Sequence, residues 1–308
     1  MLKITLPGTG ATMPLPHRAT ATGVVQYQGH NILLDCGEGT QVAARRADVS
    51  LVKIDCICLT HYHGDHIFGL PGLLQTMASQ GRTQPVLLLG PAKGYAETVG
   101  LLLALTGELP FLVQQRPQAA TGQTMTLWDN LKLTSFPLAH RAPCMGYRFD
   151  LSRAGQFQPE KARALGVEQR LWGQLQKGIP VPGVKGKTVQ PEQVMGPARK
   201  GLSVVYGLDT APCDSLTAAA QGADLLICDA TYAGADQEER DKAVLYGHST
   251  FPQCGQLAAR AGVKRLWLTH FGGALTPDPD SQLYRAQEFF PAAEIGFDGK
   301  TMLLKFED

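Results

Sequence analysis

Leu59-Thr60-His61-Tyr62-His63-Gly64-Asp65-His66 ends in six residues that hold three histidines and an aspartate. Imidazoles and carboxylates are the ligands of a borderline-soft divalent ion such as Zn²⁺. Four such groups so close together would sit badly in a core and would repel one another if protonated. A shared cation removes both problems. The chain has eight histidines, and three are here. Ile54-Asp55-Cys56-Ile57-Cys58-Leu59 reads as a buried strand leading into the motif, and Gly69–Met77 reads as a helix after it. A strand–turn–helix lets His61 and His63 point at one centre while Asp65 and His66 reach a second. A metal pair roughly 3.5–4 Å apart needs more ligands and a bridge. His140, Asp209 and His270 stand at the ends of other strand-like runs and offer them.

Outward from the motif, residues 1–58 read as β-rich. Leu2-Ile4-Leu6 alternates, and Gly23–Tyr27 and Asn31–Asp35 look like hairpin partners across Gly29-His30. Gly8-Thr9-Gly10 follows the first strand without a Gly-Lys-Ser/Thr, which argues against a phosphate-binding loop. Further strands are expected at Pro85–Pro91, Leu131–Phe136, Met145–Phe149, Ser203–Thr210, Asp224–Asp229, Val263–His270 and Thr301–Phe306. Helices are expected up to Leu105, near Ser215–Gln221, from Thr250 to Ala261 and near Ser281–Phe290. Two blocks of strands and helices, each with metal-type residues just after strands, suggest two similar halves facing each other. Residues 151–200 break the rhythm. They are basic and rich in Gln, Gly and Pro, and they read as an inserted arm with one helix from Pro159 to Lys177. Leu171, Trp172 and Leu175 form its apolar stripe.

At 308 residues, 44% hydrophobic and 18% charged, the chain has ample material for a globular core. No apolar run approaches the length needed to cross a bilayer, so no membrane role is expected. Met1–Leu6 reads as a strand, not a signal peptide. The seven cysteines are odd in number and scattered, with several in apolar runs. They read as reduced core residues of a cytoplasmic protein. Net charge is only +1, but residues 141–200 hold eleven Lys/Arg against four Asp/Glu, a local +7 that leaves −6 for the rest. A basic segment on an acidic body is a candidate footprint for nucleic acid. Charge alone describes a solvated, tolerant insertion more readily than a nucleic-acid footprint.

His-x-His-x-Asp-His followed by distant His, Asp and His resembles the metallo-β-lactamase superfamily. Thr60–Leu73, Leu34-Asp35-Cys36-Gly37-Glu38-Gly39-Thr40-Gln41, Asp229-Ala230-Thr231-Tyr232, Gly247-His248-Ser249-Thr250 and Leu268-Thr269-His270-Phe271 are similar, in order, to the ribonuclease Z family of tRNA 3′-processing endonucleases. The resemblance implies an α/β fold, the αββα sandwich of two mixed β-sheets flanked by helices. It implies one domain over 1–308, with 151–200 an inserted flexible arm that grips tRNA, usually that of the partner subunit in a homodimer. It implies that His61, His63 and His140 bind one zinc, that Asp65, His66 and His270 bind the second, and that Asp209 bridges them. Mn²⁺, Fe²⁺ or Co²⁺ also suit such donors.

The activity so implied is endonucleolytic removal of the 3′ trailer of precursor tRNA, leaving a 3′-hydroxyl on the tRNA. Two zinc ions lower the pKa of a bridging water toward about 7, giving hydroxide for in-line attack on phosphorus. Asp65 would orient the nucleophile or take its proton. His248 would protonate the leaving oxygen, with Asp229 holding its imidazole. From spacing alone, His248 equally reads as a neighbour of the helix cap at Ser249-Thr250. Arg18, in the loop Pro14–Ala19, and Lys177, Lys185 and Lys187, in the arm, are the candidate RNA contacts. Leu208 stands where the family usually has glycine before the bridging aspartate. Gly272-Gly273-Ala274-Leu275 stands where it often carries a phosphate-gripping arginine. A dinuclear hydrolase of small phosphodiesters or other esters, with the arm as a lid, is the second reading, and a non-catalytic RNA-binding protein the third.

Overall fold

Strand order in the computed structural model, which describes residues 1–275 and 277–307 and Lys185 without its side chain, follows the expected two blocks. The first block contains β1 (Leu2–Gly8), β2 (Thr22–Tyr27), β3 (His30–Leu34), α1 (Thr40–Arg46), β4 (Ile54–Cys58), α2 (Gly64–Ile67), α3 (Leu70–Ser79), β5 (Val86–Pro91), α4 (Tyr95–Ala104) and β6 (Val113–Gln118). The second begins with β7 (Gln123–Trp128), β8 (Leu131–Leu138) and β9 (Cys144–Arg153). Between β9 and the next long strand lie α5 (Pro159–Ala164), α6 (Trp172–Gln176), β10 (Val181–Pro182) and β11 (Thr188–Val189). The block resumes with β12 (Arg199–Gly207), α7 (Asp214–Ala220), β13 (Leu225–Asp229), α8 (Gln237–Tyr246), α9 (Phe251–Ala261), β14 (Leu266–Thr269), α10 (Tyr284–Gln287), β15 (Ala293–Ile295) and β16 (Lys300–Leu304).

Two seven-stranded mixed sheets result, ordered β16-β1-β2-β3-β4-β5-β6 and β15-β14-β13-β12-β9-β8-β7. β3 to β6 run parallel, as do β12 to β15. The sheets meet face to face, with Tyr147 Oη donating to Leu59 O at 2.6 Å and Tyr206 Oη to Asp35 Oδ2 at 3.3 Å. Helices cover the outer faces. In α3, Leu70, Leu73, Leu74 and Met77 recur at helical spacing and are fully buried against the first sheet, each contributing roughly 1.5–3 kcal/mol. In α9, Phe251, Cys254, Leu257, Ala258 and Ala261 do the same for the second sheet. Thr250 and Gln253 close a capping box at its start. This is the expected αββα sandwich.

The chain divides into two compact units, residues 1–150 with 202–305, and residues 151–201 with 306–308. The second has a core of its own, built from Ala162, Val167, Leu175, Val181, Val189 and Val194. Its expected single helix is broken. Gly166 adopts φ 63°, a left-handed conformation that ends α5, and the chain restarts as a short 3₁₀ turn and α6. Leu175 is buried there, and Leu171 and Trp172 pack on the same cluster. All seven cysteines are free, six of them buried. Among the described residues no helix is long and apolar enough to cross a membrane.

Candidate metal centre

The polar residues of interest sit just past the carboxyl ends of strands, where parallel sheets leave a crevice. Asp35 follows β3, His61–His66 follow β4, Asp209 follows β12, Asp229 ends β13 and His270 follows β14. Three of them, Asp35 (φ 62°), Asp209 (φ 55°) and His270 (φ 62°), hold the left-handed backbone that L residues rarely adopt. Each such residue costs of order 1–3 kcal/mol, which the surrounding packing must offset. The loop after β3 packs tightly on the motif. A Cβ on Gly37 would collide with Asp65 O, and one on Gly69 with Gly37 O.

All seven residues expected to face the metals converge. His61 Nε2 lies 2.8 Å from His63 Nδ1 and 3.1 Å from Asp209 Oδ2, and His140 Nε2 lies 3.4 Å from His63 Nδ1. His66 Nε2 is 2.9 Å from Asp209 Oδ2 and 3.5 Å from Asp65 Oδ2. His270 Nε2 is 2.9 Å from Asp209 Oδ1 and 3.7 Å from Asp65 Oδ2. Asp209 thus turns one oxygen to His61 and His66 and the other to His270. His61, His63, His140 and Asp209 form one set whose donor atoms lie within 4.8 Å of one another, and Asp65, His66 and His270 form another.

The donor set fits divalent cations. His66 Nε2, His270 Nε2 and Asp209 Oδ1 are buried, yet none meets a partner in hydrogen-bond geometry despite the short separations. Buried nitrogens and carboxylate oxygens left so would cost several kcal/mol; a cation between them satisfies all at once. The electrostatics run the same way. Burial disfavours charge on His66 and His270, but Asp209, together with Asp35 at His66 and with Asp229 and Asp65 at His270, reverses it and raises both well above the ordinary imidazole pKa. Burial lowers His61, His63 and His140. Burial would raise Asp209 and Asp65, but neighbouring imidazoles reverse it and hold both carboxyls low.

Asp229 and His248 pair beside this cluster. His248 Nδ1 is 2.8 Å from Asp229 Oδ2, and its ring stacks on His270 at 5.5 Å between centroids. Arg18 is turned inward. Its Nη1 donates to Thr9 Oγ1 at 2.7 Å, and its guanidinium lies over the Phe271 ring. Lys177 and Lys187 are exposed residues of the second unit, and the side chain of Lys185 lies outside the described residues.

Several residues at the site carried no assigned role in the sequence. The Thr12 amide donates to Asp65 Oδ2 at 2.8 Å. Gly247 O accepts from His140 Nδ1 at 2.9 Å, and Gly247 itself is the left-handed cap of α8. Asp35 takes the amide and hydroxyl of Thr60 and faces His66 Nδ1 at 3.0 Å. An aspartate directly after a buried strand was the available signal for Asp35. Backbone groups such as the Thr12 amide and the Gly247 carbonyl leave none.

Fold and donor set together define a metal-dependent hydrolase of the metallo-β-lactamase superfamily, whose sequence pattern matches residues 15–77. The chain is 40% identical to ribonuclease Z of Agathobacter rectalis over 308 residues, all of both chains. It is 39% identical to that of Lachnoclostridium phytofermentans, over 100% of this chain and 99% of the relative. The chain belongs to the ribonuclease Z family. The crystal structure of the short form of human tRNase Z shares the fold, with TM-score 0.70, 24% identity and coverage of 99% of this chain and 100% of that one. A diphosphatase of the PhnP family shares it at TM-score 0.65 and 18% identity, over 99% of this chain and 98% of its own.

Proposed function

We propose that the chain is a metal-dependent endoribonuclease that removes the 3′ trailer from precursor tRNA, cutting just 3′ of the discriminator nucleotide and leaving a 3′-hydroxyl on the tRNA. The observation that carries the reading is family membership over the whole chain combined with a complete set of converging donors. His61, His63 and His140 would hold one zinc, Asp65, His66 and His270 the other, with Asp209 between them. Divalent cations held there would supply a water acidic enough to be deprotonated near neutral pH and would offset charge on the phosphate oxygens.

The rest is done by the chain. Asp65 receives the Thr12 amide on Oδ2, which fixes its carboxylate to orient the attacking water and accept its proton. Burial would raise the Asp229 carboxyl, but His248 holds it well below the usual range, so Asp229 stays ionised. Its bond to His248 Nδ1 leaves Nε2 to protonate the leaving 3′-oxygen, and its charge stabilises the imidazolium. The arm, residues 151–200 with Lys177, Lys185 and Lys187, serves as an exosite for tRNA through its excess of positive charge. The family resemblance supports a homodimer, and the seven unpaired cysteines support a cytoplasmic setting.

A precursor tRNA with a 3′ extension, incubated with zinc-loaded protein and mapped at its new ends, tests the reading. Cleavage of bis-p-nitrophenyl phosphate without cleavage of the tRNA would replace it with the second reading, a hydrolase of small phosphodiesters. The inward turn of Arg18, which leaves its guanidinium on Thr9 and Phe271, is the observation that favours that alternative.

A further inference from the structure

Two threonine hydroxyls stand in the same relation to the metal centre, one in each half of the fold. Thr60 Oγ1 lies 3.0 Å from each oxygen of Asp35 and 3.0 Å from His61 Nδ1. Thr231 Oγ1 lies 2.7 Å from Asp229 Oδ1 and 2.9 Å from His270 Nδ1. Thr60, Asp35 and Asp229 are wholly buried, and Thr231 is nearly so.

A hydroxyl has one proton to give. Both carboxylates are already acceptors. Asp35 takes the Thr60 amide at 2.7 Å and the Tyr206 hydroxyl, and Asp229 takes the Thr210 and Thr231 amides at 3.0 and 2.9 Å. The threonine protons therefore go to the carboxylates, and toward the imidazoles each hydroxyl oxygen can only accept. His61 and His270 must then carry their protons on Nδ1, which leaves Nε2 of each with its lone pair directed at Asp209.

We propose that Thr60 and Thr231 are positioning residues, each using a buried aspartate to fix the tautomer of one metal-facing histidine. Thr60 acts on His61 and so on the first metal position; Thr231 acts on His270 and so on the second. The inference rests on the ligand assignment above. Thr231 Oγ1 also lies 3.2 Å from His248 Nδ1, so this one hydroxyl touches both a metal-facing ring and the proton donor.

The test is competition for zinc between a chelator and the full chain, as wild type, Thr60→Val, Thr231→Val, Thr60→Ser and Thr231→Ser. Valine keeps the shape and removes the hydroxyl; serine keeps the hydroxyl. The wild type holds two zinc ions. Each valine variant releases one of them about 10–100-fold more readily, the usual cost of losing a group that orients a ligand. Each serine variant holds both like the wild type. Valine variants as tight as wild type, or serine variants as weak as valine, overturn the inference while leaving the ligand assignment standing. A wild type that holds fewer than two zinc ions overturns the ligand assignment itself. Should the valine variants fail to fold, imidazole ¹⁵N spectra of the zinc-loaded wild type give the answer directly. Nδ1–H on His61 and His270 is expected, and zinc bound through Nδ1 of either ring refutes the proposal.

Discussion

His248 Nδ1 donates to Asp229 Oδ2 at 2.8 Å, and Asp229 is completely shielded from water. The pairing leaves one ring nitrogen of His248 for chemistry and supplies a fixed counter-charge when that ring is protonated. His248→Ala should lower kcat on precursor tRNA by about 10²–10⁴-fold, the range for losing a general acid. It should leave zinc content unchanged. A nitrophenolate leaves without a proton, so hydrolysis of bis-p-nitrophenyl phosphate should fall far less. Equal losses on both substrates would assign His248 a role other than proton donation.

Gly37 and Asp65 are coupled through backbone contact, since any side chain at 37 meets Asp65 O. Gly37→Ala should push the motif loop aside and displace the Asp65 carboxylate. The expected result is a folded protein with intact cores and turnover reduced at least tenfold, measured by circular dichroism and cleavage rate together. Full activity would mean that the loop after β3 yields instead.

Asp209 makes the metal centre sensitive to pH in two opposite ways. Without a cation, Asp209, helped by Asp35 at His66 and by Asp229 and Asp65 at His270, raises both imidazoles above their ordinary value of 6.5 against the effect of burial, while those rings hold its own carboxyl below 3.8. The raised histidines add stability in full below about 6.5, and it is lost as pH rises through their folded values. The lowered aspartate adds stability above about 3.8, lost as pH falls through its folded value. For these three groups alone the contributions are complete between about pH 3.8 and 6.5, whereas the lowered His61, His63 and His140 oppose them, because the stability of their neutral rings is lost as pH falls below about 6.5. A cation needs the rings neutral at Nε2, so its binding expels protons and tightens as pH rises. Excess chelator should lower the unfolding temperature more at pH 8 than at pH 6. Free zinc at a hundredfold excess over Kd stabilises by about 2.7 kcal/mol, which sets the scale. The reverse order would mean that other groups titrate here.

Much of this arrangement is legible in the chain. Leu225–Cys228 is a continuous apolar run, and Ile54–Cys58 is apolar and buried except at Asp55, which is what burial between two layers demands. What escaped has physical reasons. Val113–Gln118 is an edge strand whose middle residues are exposed, so it shows no alternation. α8 buries only Ala243 and has no apolar stripe; Asp236 caps its start and Gly247 ends it. Yet α8 delivers the carbonyl that orients His140. The donor motif announces itself because six residues hold four of the converging donor side chains. Thr60 and Thr231 do not, because a hydroxyl acquires its role only from partners that the fold brings to it, such as Asp35, 25 positions away, and His270, 39 positions away.

The second compact unit has its own small core, and residues 141–200 carry a local charge of +7. Charge at that density attracts a polyanion through release of its counterions, and the attraction weakens as salt rises. None of the metal-facing residues lies within 155–190. Deleting 155–190 should therefore weaken precursor-tRNA binding at least tenfold in low salt and flatten its salt dependence, because fewer phosphates are neutralised. Hydrolysis of bis-p-nitrophenyl phosphate should persist, since a small ester needs only the metal centre. Single changes of Lys177 or Lys187 to alanine should each remove about one unit from the salt slope if that lysine meets a phosphate. Loss of small-ester hydrolysis on deletion would make the segment part of the fold's support. An unchanged salt slope would place the tRNA contact elsewhere on the chain.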